Sequence, residues 1–135
     1  MPAINQPLPA SYYVAKASVL KASETIPYGN VAMQVAGKIR AALTAVANSA
    51  LLGMSAQNLA ETTGADVTLP QPAIFIRGQV LYLNGKAGDL PTAALLGSPV
   101  ALDTSSQVKA TIAANDLTLI LVDVRADGKI GVYIP

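Results

Sequence analysis

The side chains that could carry acid–base chemistry in this chain are carboxylates and lysines, because histidine and cysteine are absent. Histidine is the residue whose unperturbed pKa lies near neutrality, and cysteine supplies thiolate nucleophiles, disulfides and zinc ligands. A hydrolase built on carboxylates needs two of them held across a cleft. No spacing singles out such a pair among Glu24, Glu61, Asp66, Asp89, Asp103, Asp116, Asp123 and Asp127. The turn chemistry around the last three predicts that they end strands or shape turns.

Other catalytic and cofactor patterns are also incomplete. Ser18 and Lys21, like Ser106 and Lys109, fall in predicted strands or hairpins and lack the setting of a nucleophile elbow. Residues 85–88 have the composition of a phosphate-binding loop, but no Ser or Thr follows the lysine to open a helix. The C-terminal aspartates lack the spacing of a calcium loop. We therefore predict no enzymatic activity, no cofactor and no metal ion.

The charge balance excludes another set of partners. Nine basic and eight acidic residues give a net charge of +1, and the charges form no runs. Nucleic acid and anionic membrane are therefore not expected partners. Only 13% of the residues are charged and 52% are hydrophobic. Because isolated soluble proteins usually depend on surface charge for solubility, we expect part of this surface to be covered in an assembly.

Neither a membrane span nor a secretory signal is predicted. The longest uncharged stretch, residues 41–60, contains six Thr, Asn, Ser and Gln side chains, too many for a transmembrane helix. Residues 1–10 lack both the basic start and the apolar core of a signal peptide. We expect synthesis in the cytoplasm.

Residues 1–10 form a separate segment by composition. Their three prolines fix their own φ angles and restrict the preceding residues, which favours an extended N-terminal arm over a helix. Two tyrosines follow directly, and adjacent strand residues point to opposite faces. We expect the arm and these tyrosines to contact a partner protein or a neighbouring subunit; the candidate contact residues are Ile4, Pro7, Leu8, Pro9, Tyr12 and Tyr13.

Residues 11–135 are expected to form a single β-rich domain. Apolar, β-branched runs alternate with turn residues such as Pro70 and Pro72, which predicts a small β-barrel or sandwich-like domain built of hairpins, with at most one short helix. Asn84-Gly85 is predicted to be a two-residue type I′ turn, and Asp127-Gly128 a tight turn of the C-terminal hairpin. The predicted strands are 12–20, 31–35, 39–42, 73–77, 79–83, 100–102, 107–112, 117–124 and 129–134.

Residues 38–61 allow two interpretations. Apolar residues recur there at helical spacing, and the alanine content suits a helix. An internal echo favours strands, because residues 29–33 and 38–42 parallel residues 97–102 and 107–111. By this echo, residues 49–56 form a strand that corresponds to 117–122 in the second copy.

The pattern resembles the head decoration, or capsid cement, proteins of tailed bacteriophages. Residues 24–31, ETIPYGNV, are similar to that family's first-hairpin segment, and residues 51–54, LLGM, to its apolar-Gly-apolar strand. The C-terminal half follows the family's order of elements through residues 97–104, 107–110, 117–122 and 130–134. Val122-Asp123 and the alanine-rich insert around Leu43 depart from the family pattern.

The resemblance implies a non-enzymatic structural protein on the outer surface of a virion. It implies homotrimers that bind the major capsid protein near three-fold positions and stiffen the shell against internal DNA pressure. Two other functions remain open. Another virion component, such as a tail tube, a head-fibre base or a baseplate domain, would share the β-rich, low-charge character. A carbohydrate- or ligand-binding β-domain would need an exposed aromatic platform.

Overall fold

The computed structural model describes residues 13–42 and 49–134. These residues form strands joined by short loops, with one three-residue 3-10 helix at Ala93–Leu95. The predicted mainly β fold is confirmed. The arm lies outside the described residues. The strands are β1 (Tyr13–Leu20), β2 (Thr25–Ile26), β3 (Val31–Val35), β4 (Lys38–Ala41), β5 (Ser49–Ser55), β6 (Leu59–Ala60), β7 (Val67–Arg77), β8 (Val80–Gly85), β9 (Pro99–Thr104), β10 (Gln107–Lys109), β11 (Thr118–Val124) and β12 (Lys129–Tyr133).

The strand interpretation of residues 49–56 is confirmed, and the helical alternative is wrong for that stretch. Strand β5 pairs with β3 along its length and with β7 at Met54 and Ser55. Leu52 and Ser55 are buried there. Burial between two neighbouring strands outweighs the modest helical propensity of an alanine-rich segment. Residues 43–48 of the ambiguous region lie outside the described residues.

The strands close into two barrels with the same topology. The N-terminal barrel has the order β1-β4-β3-β5-β7, and the C-terminal barrel has the order β8-β10-β9-β11-β12. In each barrel the first and third strands in chain order are parallel, and the other neighbours are antiparallel. The internal echo seen in the sequence is therefore a structural duplication.

Equivalent backbone hydrogen bonds mark the duplication at the start of β3 and β9. The Gly29 N–H donates to the Ser55 carbonyl at 2.9 Å, and the Ser55 N–H returns a bond to Asn30 at 2.8 Å. In the C-terminal barrel the Gly97 N–H donates to Leu121 at 2.8 Å, and the Leu121 N–H donates to Ser98 at 3.0 Å. Gly29 and Gly97 share positive φ angles of 88° and 83°.

A second repeated motif is the turn that follows the first strand of each barrel. The Glu24 N–H donates to the Lys21 carbonyl at 3.3 Å, and the Asp89 N–H donates to the Lys86 carbonyl at 3.1 Å. The third residue of each turn has a positive φ, 64° at Ser23 and 85° at Gly88. The short sequences KASE and KAGD thus encode the same turn, although glycine adopts its conformation with less strain.

Strand β3 contributes to both hydrophobic cores. Because successive strand residues point to opposite faces, Ala32 packs into the cluster of the N-terminal barrel while Val31 and Met33 belong to the cluster of the C-terminal barrel. The Val31 N–H also donates to the Ser105 carbonyl at 2.8 Å, between the barrels. The two barrels are therefore packed together through a shared wall.

The predicted turn at Asn84-Gly85 is wrong. Both residues lie in β8, opposite Gln107 and Val108 of β10, and neither has the positive φ that a type I′ turn requires. The type I′ geometry occurs instead at Ala36 and Gly37, whose φ angles of 51° and 79° connect β3 to β4. An Asn-Gly pair alone does not determine a turn when its residues are paired with neighbouring strands, here Asn84 with both β10 and β12 and Gly85 with β10.

The predicted turn at Asp127-Gly128 is confirmed. The Gly128 N–H donates to the Arg125 carbonyl at 3.1 Å, and the Arg125 N–H donates to Lys129 at 3.0 Å. Gly128 has a φ of 88°, and the Asp127 carboxylate accepts from the Lys129 N–H at 3.0 Å. These features form a type I turn followed by a glycine bulge, which joins β11 to β12.

We expect Gly53→Ala to destabilise the protein by about 2–4 kcal/mol, because strain at its φ adds to a backbone collision. Gly53 has a φ of 134°, and an added Cβ would lie 2.5 Å from the Ile76 carbonyl oxygen. Gly85→Ala is the matched control. Its Cβ would meet the end of the exposed Leu90 side chain, which can move aside, and would lie 3.3 Å from Ile130 Cγ1, but it would meet no backbone atom and has no positive φ. Thermal unfolding that places the two variants at equal stability would contradict this account.

Candidate interaction surface

Of the six predicted contact residues, Tyr13 lies in the described part of the chain. Ile4, Pro7, Leu8, Pro9 and Tyr12 lie outside the described residues. Tyr13 is the first residue of β1 and pairs with Arg77 at the end of β7. Their role as contacts stays a prediction.

Both ends of the described chain meet at the link between the barrels. Tyr13 lies opposite Arg77, and Gly78, the next residue, donates its N–H to the Ile134 carbonyl at 2.7 Å. Val80 begins β8 two residues later and pairs with Tyr133. The N-terminal arm therefore joins the structure beside the first strand of the C-terminal barrel.

Apolar side chains from neighbouring strands line the outer face of the C-terminal barrel beside this link. Val80, Tyr133, Ile120 and Pro99 are cross-strand neighbours across four strands, so their side chains lie on one face. Val80 and Val122 are 43% and 41% exposed. We call this surface the apolar strip; its residues are Val80, Tyr82, Pro99, Ile120, Val122 and Tyr133.

Tyr82 is held in a fixed position on the strip. Its hydroxyl donates to the Asp123 carboxylate at 2.7 Å, and the Arg125 guanidinium carbon lies 5.3 Å from the ring centroid. The ring lies against Gly131 of the neighbouring strand, where a Cβ would come within 3.0 Å of it. An exposed tyrosine immobilised in this way loses little conformational entropy when a partner protein binds. Tyrosine is also one of the residue types that contribute most to binding at protein interfaces.

Phe75 of β7 and Tyr82 of β8 differ in their surroundings. Phe75 is fully buried in the N-terminal barrel, whereas Tyr82 is 46% exposed. The alternation in β8 accounts for the exposure of Tyr82, since Leu81 and Leu83 point inward while Val80 and Tyr82 point outward. Ile120 and Val122 were missed because the run LTLILV is apolar on both faces, which conceals the inward-outward alternation.

The carboxylates hold loops and turns together. Asp116 accepts from the Ala113 N–H at 2.8 Å and from the Lys109 ammonium at 3.2 Å. The predicted strand-end and turn roles of Asp116 and Asp127 are confirmed. Asp123 instead lies within β11, opposite Gly131, and accepts the Tyr82 hydroxyl. Hydrogen bonds from Ala113 and Lys109 lower the pKa of Asp116.

Glu61 is the most highly coordinated carboxylate that the structure describes. It accepts hydrogen bonds from the N–H groups of Ser23 at 2.8 Å, Thr63 at 2.8 Å and Gly64 at 3.0 Å, and from the Thr63 hydroxyl. The Thr63 hydroxyl, followed by the Ser23 N–H, lowers its pKa from 4.5 to about 2. The side chain joins the loop after β6 to the turn after β1.

Comparisons with known proteins give no family assignment: no family model, curated protein or solved structure matches the chain.

Within residues 13–42 and 49–134 there is no pocket and no group of three metal-ligating side chains. No helix in the same residues has the length and apolarity of a membrane span. Among the described features, the apolar strip gives the strongest indication of a partner.

Asp123→Asn is expected to lower the pKa of Tyr82. The hydrogen bond to Asp123 and the negative charge of that carboxylate raise this pKa above its usual 10.0 in the wild-type chain. Titration of tyrosinate absorbance should show one tyrosine ionising at lower pH in the variant. Asp127→Asn, which removes a nearby carboxylate that does not bond Tyr82, should have a smaller effect. Identical titrations for all three proteins would exclude this anchoring of the ring.

Glu61→Gln should reduce the sensitivity of the fold to acid. A carboxylate whose pKa is lowered on folding stabilises the folded state above its unfolded pKa, near 4.5, and loses that contribution as the pH falls through about 2. We expect the variant to be less stable at neutral pH and to lose less stability between these two values. Thermal unfolding across this range measures the effect; parallel curves for both proteins would contradict it.

Proposed function

We propose that this chain is a viral structural protein that decorates and stabilises a bacteriophage capsid. In this proposal it binds the shell of the major capsid protein on its outer surface, as homotrimers. The observation that carries the proposal is the apolar strip, in which Val80, Tyr82 and Val122 are exposed on a chain with only 13% charged residues. Such a surface is unfavourable on an isolated molecule and is typical of an assembly.

The fold suits a structural protein that must resist mechanical force. Each barrel closes its sheet, and β3 ties the two barrels through a common core. Carboxylates such as Glu61 hold loops to neighbouring turns. These contacts make one compact body, and a repeated shell can hold such a body by several weak contacts at once.

The proposal also draws on the resemblance of residues 24–31, 51–54 and 97–134 to head decoration proteins. That resemblance supplies the capsid as the partner and the trimer as the assembly. Another virion component, such as a tail tube or baseplate domain, would share the apolar strip and the twin barrels. The assembly state in solution separates these possibilities.

Shells purified from the encoding virus and depleted of this protein provide the test. The full-length chain should bind them to saturation and raise the temperature at which they rupture. Deletion of residues 1–10 should reduce occupancy by tenfold or more, because multivalent binding falls steeply when one contact of each copy is lost. Lys16→Ala, on the exposed surface of β1, is the control and should bind as the wild type does. Failure of the full-length chain to bind would overturn the proposal.

Sedimentation of the purified protein at several concentrations provides the second measurement. A species with three times the mass of the chain supports the proposed trimer. Rings or tubes of many copies would favour a tail component, and a strict monomer at all concentrations would overturn assembly in solution.

A further inference from the structure

The apolar strip has a chemical counterpart in the N-terminal segment of the same chain. None of the six strip residues carries a charge, and residues 1–12 contain no Asp, Glu, Lys or Arg. The segment supplies Ile4, Leu8 and three prolines. Asp123 and Arg125 contact Tyr82 beside the strip, but both already have partners: Asp123 accepts the Tyr82 hydroxyl, and Arg125 pairs with Asp127 at 3.0 Å. An uncharged segment can therefore dock there without leaving a buried ion unpartnered.

The strip has the side chains that recognise proline-rich peptides. Such peptides dock on surfaces lined by aromatic rings, because a proline-rich segment is already extended and loses little entropy on binding. Tyr82 and Tyr133 lie on neighbouring strands of the strip, and the Asp123 contact fixes the ring of Tyr82. Val80 and Ile120 provide the apolar floor beside them.

The segment has the length to cross the strip, and it starts beside it. It joins the structure at Tyr13, opposite Arg77, and Val80 follows Arg77 by three positions. Twelve extended residues span at most roughly 40 Å, whereas four adjacent strands are about 14 Å across. The excess length allows the segment to reach a neighbouring copy.

We propose that residues 1–12 of one copy dock on the apolar strip of the next copy, and that three such contacts close the trimer. The inference rests on the trimer of the proposed function and names the contact that forms it. Donor segment and acceptor strip are different surfaces of the chain, so the contact is heterologous. Contacts of this kind form a closed ring when the rotation from one copy to the next closes, and three copies related by a three-fold rotation form the proposed trimer.

Disulfide trapping tests the contact in the full-length chain, which has no cysteine of its own. In the double variant Leu8→Cys, Val80→Cys, mild oxidation should give covalent dimers and trimers on a non-reducing gel. The matched control is Leu8→Cys, Ile74→Cys, because Ile74 is 38% exposed and Val80 43% exposed, but Ile74 lies on the N-terminal barrel. The control should form at least tenfold fewer covalent oligomers. A disulfide within one chain, or equal oligomer yields for the two variants, would overturn the proposal.

A charge placed on the strip provides a second test that does not depend on disulfide geometry. Val122→Asp should weaken self-association by tenfold or more in sedimentation, since docking would bury an unpaired carboxylate. Ile74→Asp carries the same charge at a similarly exposed site and should leave association unchanged. If the wild type is a trimer but Val122→Asp associates equally well, the docking is wrong and the trimer stands. A monomeric wild type overturns both.

Discussion

The two-sided burial of β3 is the contact on which the arrangement of the molecule depends. Val31 and Met33 have no exposed surface and belong to the core of the C-terminal barrel, while Ala32 between them belongs to the other core. Burying side chains of this size contributes roughly 1.5–3 kcal/mol each. A single small barrel buries only the inner face of each strand. Because β3 is apolar on both faces, its outer face is buried only when the C-terminal barrel packs against it.

Duplication explains how a chain of 135 residues reaches this arrangement. Each barrel repeats the same strand order, the same parallel pair and the same hydrogen bonds at Gly29 and Gly97. The copies differ in how their loops are stabilised. The N-terminal barrel adds the short β2–β6 sheet and the Glu61 cluster, whereas the C-terminal barrel replaces that region with the tight turn at Asp127-Gly128.

The asymmetry between the copies extends to their surfaces. The outer residues of β8, β9, β11 and β12 form the apolar strip, whereas β3 of the N-terminal barrel points its second face into the molecule. The N-terminal barrel thus supplies the strand that both cores share, and the C-terminal barrel supplies an exposed apolar surface. The link at Arg77 and Gly78 brings the start of β1 to the edge of that surface. Assembly, the function we propose, depends on this division between the barrels.

The sequence by itself determined the β class, most strands and the repeat, because apolar alternation and turn residues act over a few neighbouring positions. It also determined the loop and turn roles of Asp116 and Asp127. Only the tertiary structure decided that Asn84-Gly85 extends β8, since pairing with β10 and β12 outweighs the local preference of an Asn-Gly pair for a turn.

The tertiary structure likewise placed Pro70 and Pro72 inside β7. The sequence predicts a turn there, but the register with β1 jumps from the Ala17–Ala73 pair to the Val19–Thr68 pair. The irregularity accommodates residues without an N–H to donate. The exposed apolar strip was decided at the same level, because its residues come from four strands and become neighbours only when the barrel closes. Local patterns determine which segments are strands, whereas pairing between distant segments determines which side chains form a surface.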